Sequence, residues 1–198
     1  MHEQLLNIVR RFSERRLLIV GDSIADKFLY GSISRVSREA PVFILRHEST
    51  ETVPGGAANC ALNLAALGAN VSLISVAGND EAGNALRENL SGAGVNVDGL
   101  VLSEKIQTTT KVRILAGHAH ANKQQVIRVD YEDAPLNEPT LREALNTSLE
   151  NSLARTDAVI ISDYNYGLVD EQAVELIREA HLSRNIPVLV DSRFRLSL

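Results

Sequence analysis

Two adjacent glycines, Gly55 and Gly56, stand immediately before an Ala/Leu-rich stretch that opens Ala57-Ala58-Asn59. Glycine has no Cβ, so a ligand can press against the bare backbone at such a pair. A helix starting there leaves the N–H groups of its first turn without intrahelical partners. Those groups and the helix dipole favour an oxygen-rich or anionic ligand. Asn59 carries both a donor and an acceptor, which suits a hydroxylated ligand. The plain alternative is a tight turn ahead of a helix that packs its Ala/Leu face on a sheet. The longer spacing is more specific: Gly-Gly-Ala-x-Asn-x-Ala, six residues, Gly68, nine residues, Gly78.

The other chemistry-bearing residues are aspartates that follow apolar runs of strand length. Residues 17–20 lead to Gly21-Asp22, 71–76 to Gly78-Asn79-Asp80, 158–162 to Asp163-Tyr164, and 187–190 to Asp191. One Asp after a strand is usually a turn former or a helix cap. Several at equivalent strand ends carry more weight, because open α/β sheets bind ligands beyond the carboxyl ends of their strands.

The elements that must position these residues follow from periodicity. Helical patterns cover 80–90, stopping at the Gly92/Gly94 pair, then 139–154 and 170–183, with Asp170 as an N-cap. Leu5, Leu6, Ile8, Val9 and Phe12 space out as a short amphipathic helix. Alternating strands and helices predict an α/β fold with a mostly parallel sheet and helices on both faces, a three-layer α/β/α arrangement. Two segments break the alternation. Residues 31–53 carry β-branched residues and Pro41 with no helical period, and 109–130 read as a hairpin with strands at 111–115 and 125–130. These predict a small β-sheet that projects over the site as a lid.

At 198 residues the chain fits one domain, or one domain with a small appendage. Its 44% hydrophobic and 23% charged residues are ordinary for a globular protein. A net charge of −5 and the lack of a basic tract exclude a nucleic-acid footprint. No apolar run approaches the ~20 residues that span a bilayer, so no membrane partner is expected. The lone cysteine, Cys60, cannot form an internal disulfide and reads as a small packing residue. A cytoplasmic location is the simplest expectation, since the start of the chain has no signal-peptide core.

The glycine spacing resembles the first signature of the ribokinase-like (PfkB-type) carbohydrate kinases at every position. Gly21-Asp22-Ser-Ile-Ala-Asp26 is similar to that family's first strand and its sugar-gripping aspartate. Within the family the strongest resemblance is to the heptose 7-phosphate kinases of bacterial lipopolysaccharide synthesis. It is carried by 30–42, with Arg35-x-Ser-x-Glu-Ala-Pro41, by 54–59, 110–114 and 124–130, and by Ser162-Asp163-Tyr164-x-x-Gly167.

The resemblance implies a ribokinase-like kinase domain over 1–198 with lid strands inserted at approximately 31–53 and 109–130. It implies transfer of the ATP γ-phosphoryl group, with Mg2+, to the anomeric hydroxyl of a phosphosugar, most simply heptose 7-phosphate. Asp22, Gly55, Gly56, Asn59 and Asp163 would hold sugar hydroxyls. Arg35, Lys111, Arg113 and Arg128, on the lid, would meet the phosphate already on the substrate. Asp191 and Arg193 would lie near the nucleotide phosphates. The lid would exclude water from phosphoryl transfer, and lids of relatives commonly pair as a β-clasp, so a homodimer is expected.

Two positions depart from the relatives. Their Asp-Tyr-x-Lys-Gly becomes Asp163-Tyr-Asn-Tyr166-Gly167, and their Asp-Pro-Lys becomes Asp191-Ser-Arg193. The first removes a cation; the second keeps the charge but changes its geometry. The family's second signature, a Gly-Ala-Gly-Asp turn with the catalytic base and anion-holding N–H groups, is absent from this sequence. The domain is therefore expected to stop before the ATP-binding and catalytic part, and these 198 residues alone are expected not to turn over ATP.

Competing readings are a non-catalytic fragment that binds sugar or only dimerises, and a kinase for a ribose- or fructose-type sugar. A dinucleotide-binding domain fares poorly, since Ile19-Val-Gly-Asp22 lacks Gly-x-Gly-x-x-Gly. His118 and His120 have no third ligand nearby and read as exposed loop residues rather than a metal pair. No Gly-x-Ser-x-Gly supports a hydrolase.

Overall fold

Uninterrupted Leu, Ile and Val runs belong in strands covered on both faces, and such runs build the centre of this molecule. The computed structural model describes residues 2–118, 122–132 and 136–192. Helix α1 (His2–Arg10) precedes β1 (Arg16–Gly21). Two long strands, β2 (Ser23–Val36) and β3 (Phe43–Gly56), lead into α2 (Ala57–Ala66). Then come β4 (Asn70–Gly78), α3 (Glu81–Gly92), β5 (Leu100–Ser103), β6 (Thr110–Gly117) and β7 (Gln124–Tyr131). The described chain closes with α4 (Pro139–Leu153), β8 (Ala158–Asp163), α5 (Glu171–Arg184) and β9 (Val188–Ser192).

The core sheet runs β5-β4-β1-β8-β9, and every pairing in it is parallel. Side chains alternate between its faces. Ile19 and Leu73 face α2 and α3, packing with Ala57, Ala58, Ala61, Leu86 and Leu90. Leu18, Val20, Val159 and Ile161 pack on the opposite face with Leu145, Leu149 and Ile177 of α4 and α5. The predicted layering is thus present. Cys60 is half-buried against the α2 cluster, where burial and Asp191 push its thiol up, in keeping with a packing role.

Helices α3 and α5 start at their caps. Asp80 accepts from the Gly83 N–H at 2.8 Å and Asp170 from the Ala173 N–H at 2.8 Å. The one core strand with no counterpart among the sequence expectations is β5. Its four residues give too short an apolar run to be read as a strand, and only pairing with β4 makes it one.

The second sheet has the order β3-β2-β6-β7. Its strands start earlier than the 31–53 segment suggests. β2 follows β1 after the single residue Asp22, and Ser23 pairs with Gly56, so the lid grows directly out of the glycine pair. β2 and β3 are antiparallel, β2 and β6 parallel, and β6 and β7 form the predicted antiparallel hairpin.

An ion pair closes the amino-terminal end of the core sheet. Arg16 Nη2 lies 2.7 Å from Asp157, and hydrogen bonding to Arg16 holds the Asp157 carboxyl down at about 2, against an ordinary 3.8. A carboxyl lowered by folding stabilises above its unfolded value and loses that contribution as pH falls toward its folded value. We expect Asp157→Asn to lower the urea midpoint at neutral pH only slightly, because both side chains reach solvent. The gap between variant and parent should shrink as pH drops from about 4 to about 2. A gap independent of pH would remove the ion pair from the stability of the fold.

Candidate functional site

The site forms where β1 ends, where the core sheet hands over to the lid. Asp22 is buried there, and both of its carboxylate oxygens are engaged. Oδ2 accepts from the N–H groups of Tyr164 (2.8 Å) and Tyr166 (3.2 Å), and Oδ1 from that of Leu168 (3.2 Å). Burial raises its carboxyl and those N–H groups oppose the rise. Asp22 therefore anchors the turn after β8. That turn contains two left-handed residues, Asn165 at φ 66° and Gly167 at φ 90°. Arg142 of α4 braces it from the carbonyl side, donating to Leu168 O at 2.9 Å and to Gly167 O, with Asp170 3.0 Å away. Sequence reasoning missed Arg142, because nothing local marks an arginine in the first turn of α4 as a brace for a turn some 25 residues later.

The glycine pair leads into α2. Gly56 sits at φ 57°, and the next residue, Ala57, donates its N–H to Asp22 O at 2.9 Å. A Cβ on Gly55 would fall 2.5 Å from Asp26 Oδ2, so the bare backbone makes room for that carboxylate. Asp26 belongs to the Asp22–Asp26 motif but is absent from the residues assigned to sugar by sequence. Register could have found it: with β2 starting at Ser23, residues 26, 28 and 30 share one face. Asn59 is exposed in the first turn of α2, where Oδ1 accepts from Asn63 at 3.2 Å.

The lid face that carries Asp26 also carries three of the four expected cations. Asp26 pairs in register with Lys111, Phe28 with Arg113, and Arg113 with Arg128 across β7. Arg113 Nη1 donates to Asp26 Oδ1, and its guanidinium lies 5.4 Å from the Phe28 ring centroid. Arg128 makes a two-point contact to Asp130 at 2.7 and 2.8 Å. The Lys111 ammonium is 5.6 Å from the Tyr166 ring centroid and 3.8 Å from Glu132. Arg35 is not part of this group. It is exposed near the far end of β2, nine residues or roughly 30 Å from Asp26.

Asp163 is buried at the end of β8. It accepts from the Ser192 hydroxyl at 2.8 Å and from the Asn165 N–H at 2.8 Å. Asp191, the register partner of Ser162 on β9, is exposed. Arg193 and His120 lie outside the described residues, and His118 is exposed. Among the described residues no group of three His, Cys, Asp or Glu side chains could hold a metal, and no helix is long and apolar enough to cross a membrane.

A cleft of about 40 Å³ opens between Asp22, Ser23, Thr109, Leu136 and Tyr166. A far larger concavity, about 790 Å³, lies at the opposite end of the sheet beside Arg16, Asn70 and Asn96. Size alone would point there. The carboxylates, the glycine pair and the cationic lid face all gather at the carboxyl ends of the strands, where this architecture places ligands. Together they can hold the hydroxyls of a small anionic molecule and screen it from water.

The comparisons with known proteins agree with that chemistry. The pfkB family carbohydrate kinase profile matches residues 17–195. A D-beta-D-heptose 7-phosphate kinase of Bordetella bronchiseptica is 40% identical over 183 residues, covering 92% of this chain and 55% of that protein. A bifunctional protein HldE of Pseudomonas aeruginosa is 41% identical over 183 residues, covering 92% of this chain and 36% of that protein. A carbohydrate kinase from Agrobacterium tumefaciens superposes with a TM-score of 0.59 at 23% identity, over 89% of this chain and 53% of that one, and so shares the fold. The chain thus spans about half the length of the Bordetella relative and about a third of the Pseudomonas one.

Proposed function

Because this chain belongs to the pfkB family of carbohydrate kinases, we propose that it provides the sugar-binding part of a kinase that moves the γ-phosphoryl group of ATP to the anomeric hydroxyl of heptose 7-phosphate. The observation that carries this reading is one lid face. It sets the Asp26 carboxylate against the glycine pair and lines up Lys111, Arg113 and Arg128 beside it. A carboxylate accepts from sugar hydroxyls, and a site built on such bonds rejects molecules that lack them. The cations suit a phosphate already present on the substrate. Asp163 and Asn59, from the core, stand at the same end of the strands. The names of the relatives support heptose 7-phosphate over other sugars.

Family membership implies ATP as donor. When bound, ATP with Mg2+ supplies the phosphoryl group and neutralises its charge. The donors present fit an ion carried in on nucleotide phosphates rather than a resident one. Both Asp163 oxygens are engaged within the chain, and Asp191 is an exposed carboxylate. Asp191 is the residue we assign to that region.

The lid also supports a homodimer. β7 is an edge strand, and Val126, Ile127, Val129 and Tyr131 on it are 53%, 54%, 40% and 47% exposed. A second lid covering that edge would remove an aggregation-prone surface.

Calorimetric titration with heptose 7-phosphate and with the same heptose lacking phosphate tests the substrate. We expect heat of binding from the phosphorylated sugar and at least about tenfold weaker binding of the other, one charge-assisted contact being worth that much. Equal binding of both sugars, or of neither, would overturn the assignment.

A further inference from the structure

Three carboxylates belong to the strands and strand end that flank Lys111, and each is already engaged by another group. Asp26, its register partner on β2, accepts from Arg113. Asp130, its register partner on β7, accepts twice from Arg128. Glu132, just past β7, accepts from the Tyr166 hydroxyl through Oε1, the same oxygen that lies 3.8 Å from Lys111. That separation exceeds hydrogen-bond distance. Arg113 and Arg128 donate directly to carboxylates; among the described residues Lys111 has the Tyr166 ring face, 5.6 Å away, and the stand-off contact to Glu132. Its side chain is also largely shielded, at 18% exposure.

Tyr166 can do this because its backbone is fixed. Its N–H and those of Tyr164 and Leu168 are tied to Asp22, so the ring projects from the core toward the lid at a set place. Burial and the Glu132 contact both push the Tyr166 phenol up, so it stays a donor across the working pH range.

We propose that Tyr166 is a positioning residue which, by holding Glu132 off Lys111, keeps the lid's ammonium open for the phosphate that the sugar substrate already carries. The proposal rests on the phosphosugar reading above. Tyr166 carries no cation of its own and acts instead on the one supplied by β6. Without the hydroxyl, Glu132 is free to close on Lys111 and quench it, as Asp26 meets Arg113.

The test uses Tyr166→Phe, Glu132→Gln and the double variant, with two readouts. The first is calorimetry with heptose 7-phosphate and unphosphorylated heptose. The second needs no sugar: the acetylation rate of Lys111 by an amine-reactive reagent, read by mass spectrometry against exposed Lys105. Tyr166→Phe should weaken binding of the phosphosugar by about three- to tenfold. It should weaken the unphosphorylated sugar distinctly less and slow acetylation of Lys111. Adding Glu132→Gln removes the competing carboxylate and should restore both readouts.

Unchanged affinity and labelling in Tyr166→Phe would overturn the proposal. So would a loss that Glu132→Gln fails to rescue, which marks a merely structural tyrosine. A parent chain indifferent to the phosphate would instead overturn the substrate reading. In that case the Lys111 labelling pattern still decides whether Tyr166 restrains Glu132.

Discussion

Asp26→Ala is expected to weaken phosphosugar binding by about a hundredfold or more, since hydrogen bonds from two hydroxyls to a charged acceptor are worth about 3 kcal/mol or more together. The chain should remain folded. Asp26 sits on a lid strand with its side chain 22% exposed, and it has no part in either core cluster. Its loss also frees Arg113, which keeps the Phe28 ring and solvent as surroundings. Two effects then oppose each other. The hydroxyl acceptor disappears, while a guanidinium becomes available to phosphate. The unphosphorylated sugar should therefore lose more affinity than the phosphorylated one. Calorimetry with both sugars, with a thermal melt as the folding control, reads this directly. Parent-like affinity in Asp26→Ala would place the hydroxyl-binding carboxylate elsewhere, and Asp163 would be the next residue to change.

Gly56→Ala should cost about 3 kcal/mol of stability or more, from two independent penalties. The first is conformational. Gly56 adopts φ 57° with ψ −135°, a region that residues with a Cβ occupy only under strain. The second is steric. An added Cβ would lie 2.4 Å from Asp22 O, a backbone atom held by the Ala57 N–H, with Ile24 pressing from the other side at 3.2 Å. No flexible side-chain end is there to give way to the Asp22 contact. The damage should spread to the turn after β8, because the residue that moves is the one anchoring it. Gly92→Ala is the matched control. Nothing lies within 4 Å of its Cβ position in α3, so it should be neutral or stabilising by up to about 0.5 kcal/mol. Urea midpoints for the two variants separate the expectations. A Gly56→Ala chain as stable as Gly92→Ala would mean that the junction relaxes freely.

Both effects trace to one feature of the fold. The glycine pair lets the lid strands start directly beside the end of β1. A single residue, Asp22, then joins core sheet to lid while its carboxylate fixes the turn that carries Tyr166. Lid and core are coupled through a few short contacts at one end of the sheet. The residues we assign to sugar binding and those that hold the lid are consequently neighbours.

By itself the sequence determined the layers and most element positions. Apolar runs, helical periods, the caps Asp80 and Asp170, and the Gly55-Gly56 helix start are local signals, written within a few residues of where they act. The same locality made the glycine spacing and the strand-end aspartates legible as a site. Tertiary structure alone decided what each polar side chain does there. Asp22 and Asp26 are four residues apart and look interchangeable in sequence. Burial and the turn from residues 164–168 make the first an anchor, while strand register places the second beside Gly55. Arg35 shares β2 with Asp26 yet lies far from it, because an extended strand carries its two ends apart. Lys111, Glu132 and Tyr166 meet only after the lid hairpin has packed toward the β8 turn. A side chain's type is local, but its partners are set by pairings between strands that lie far apart in the chain.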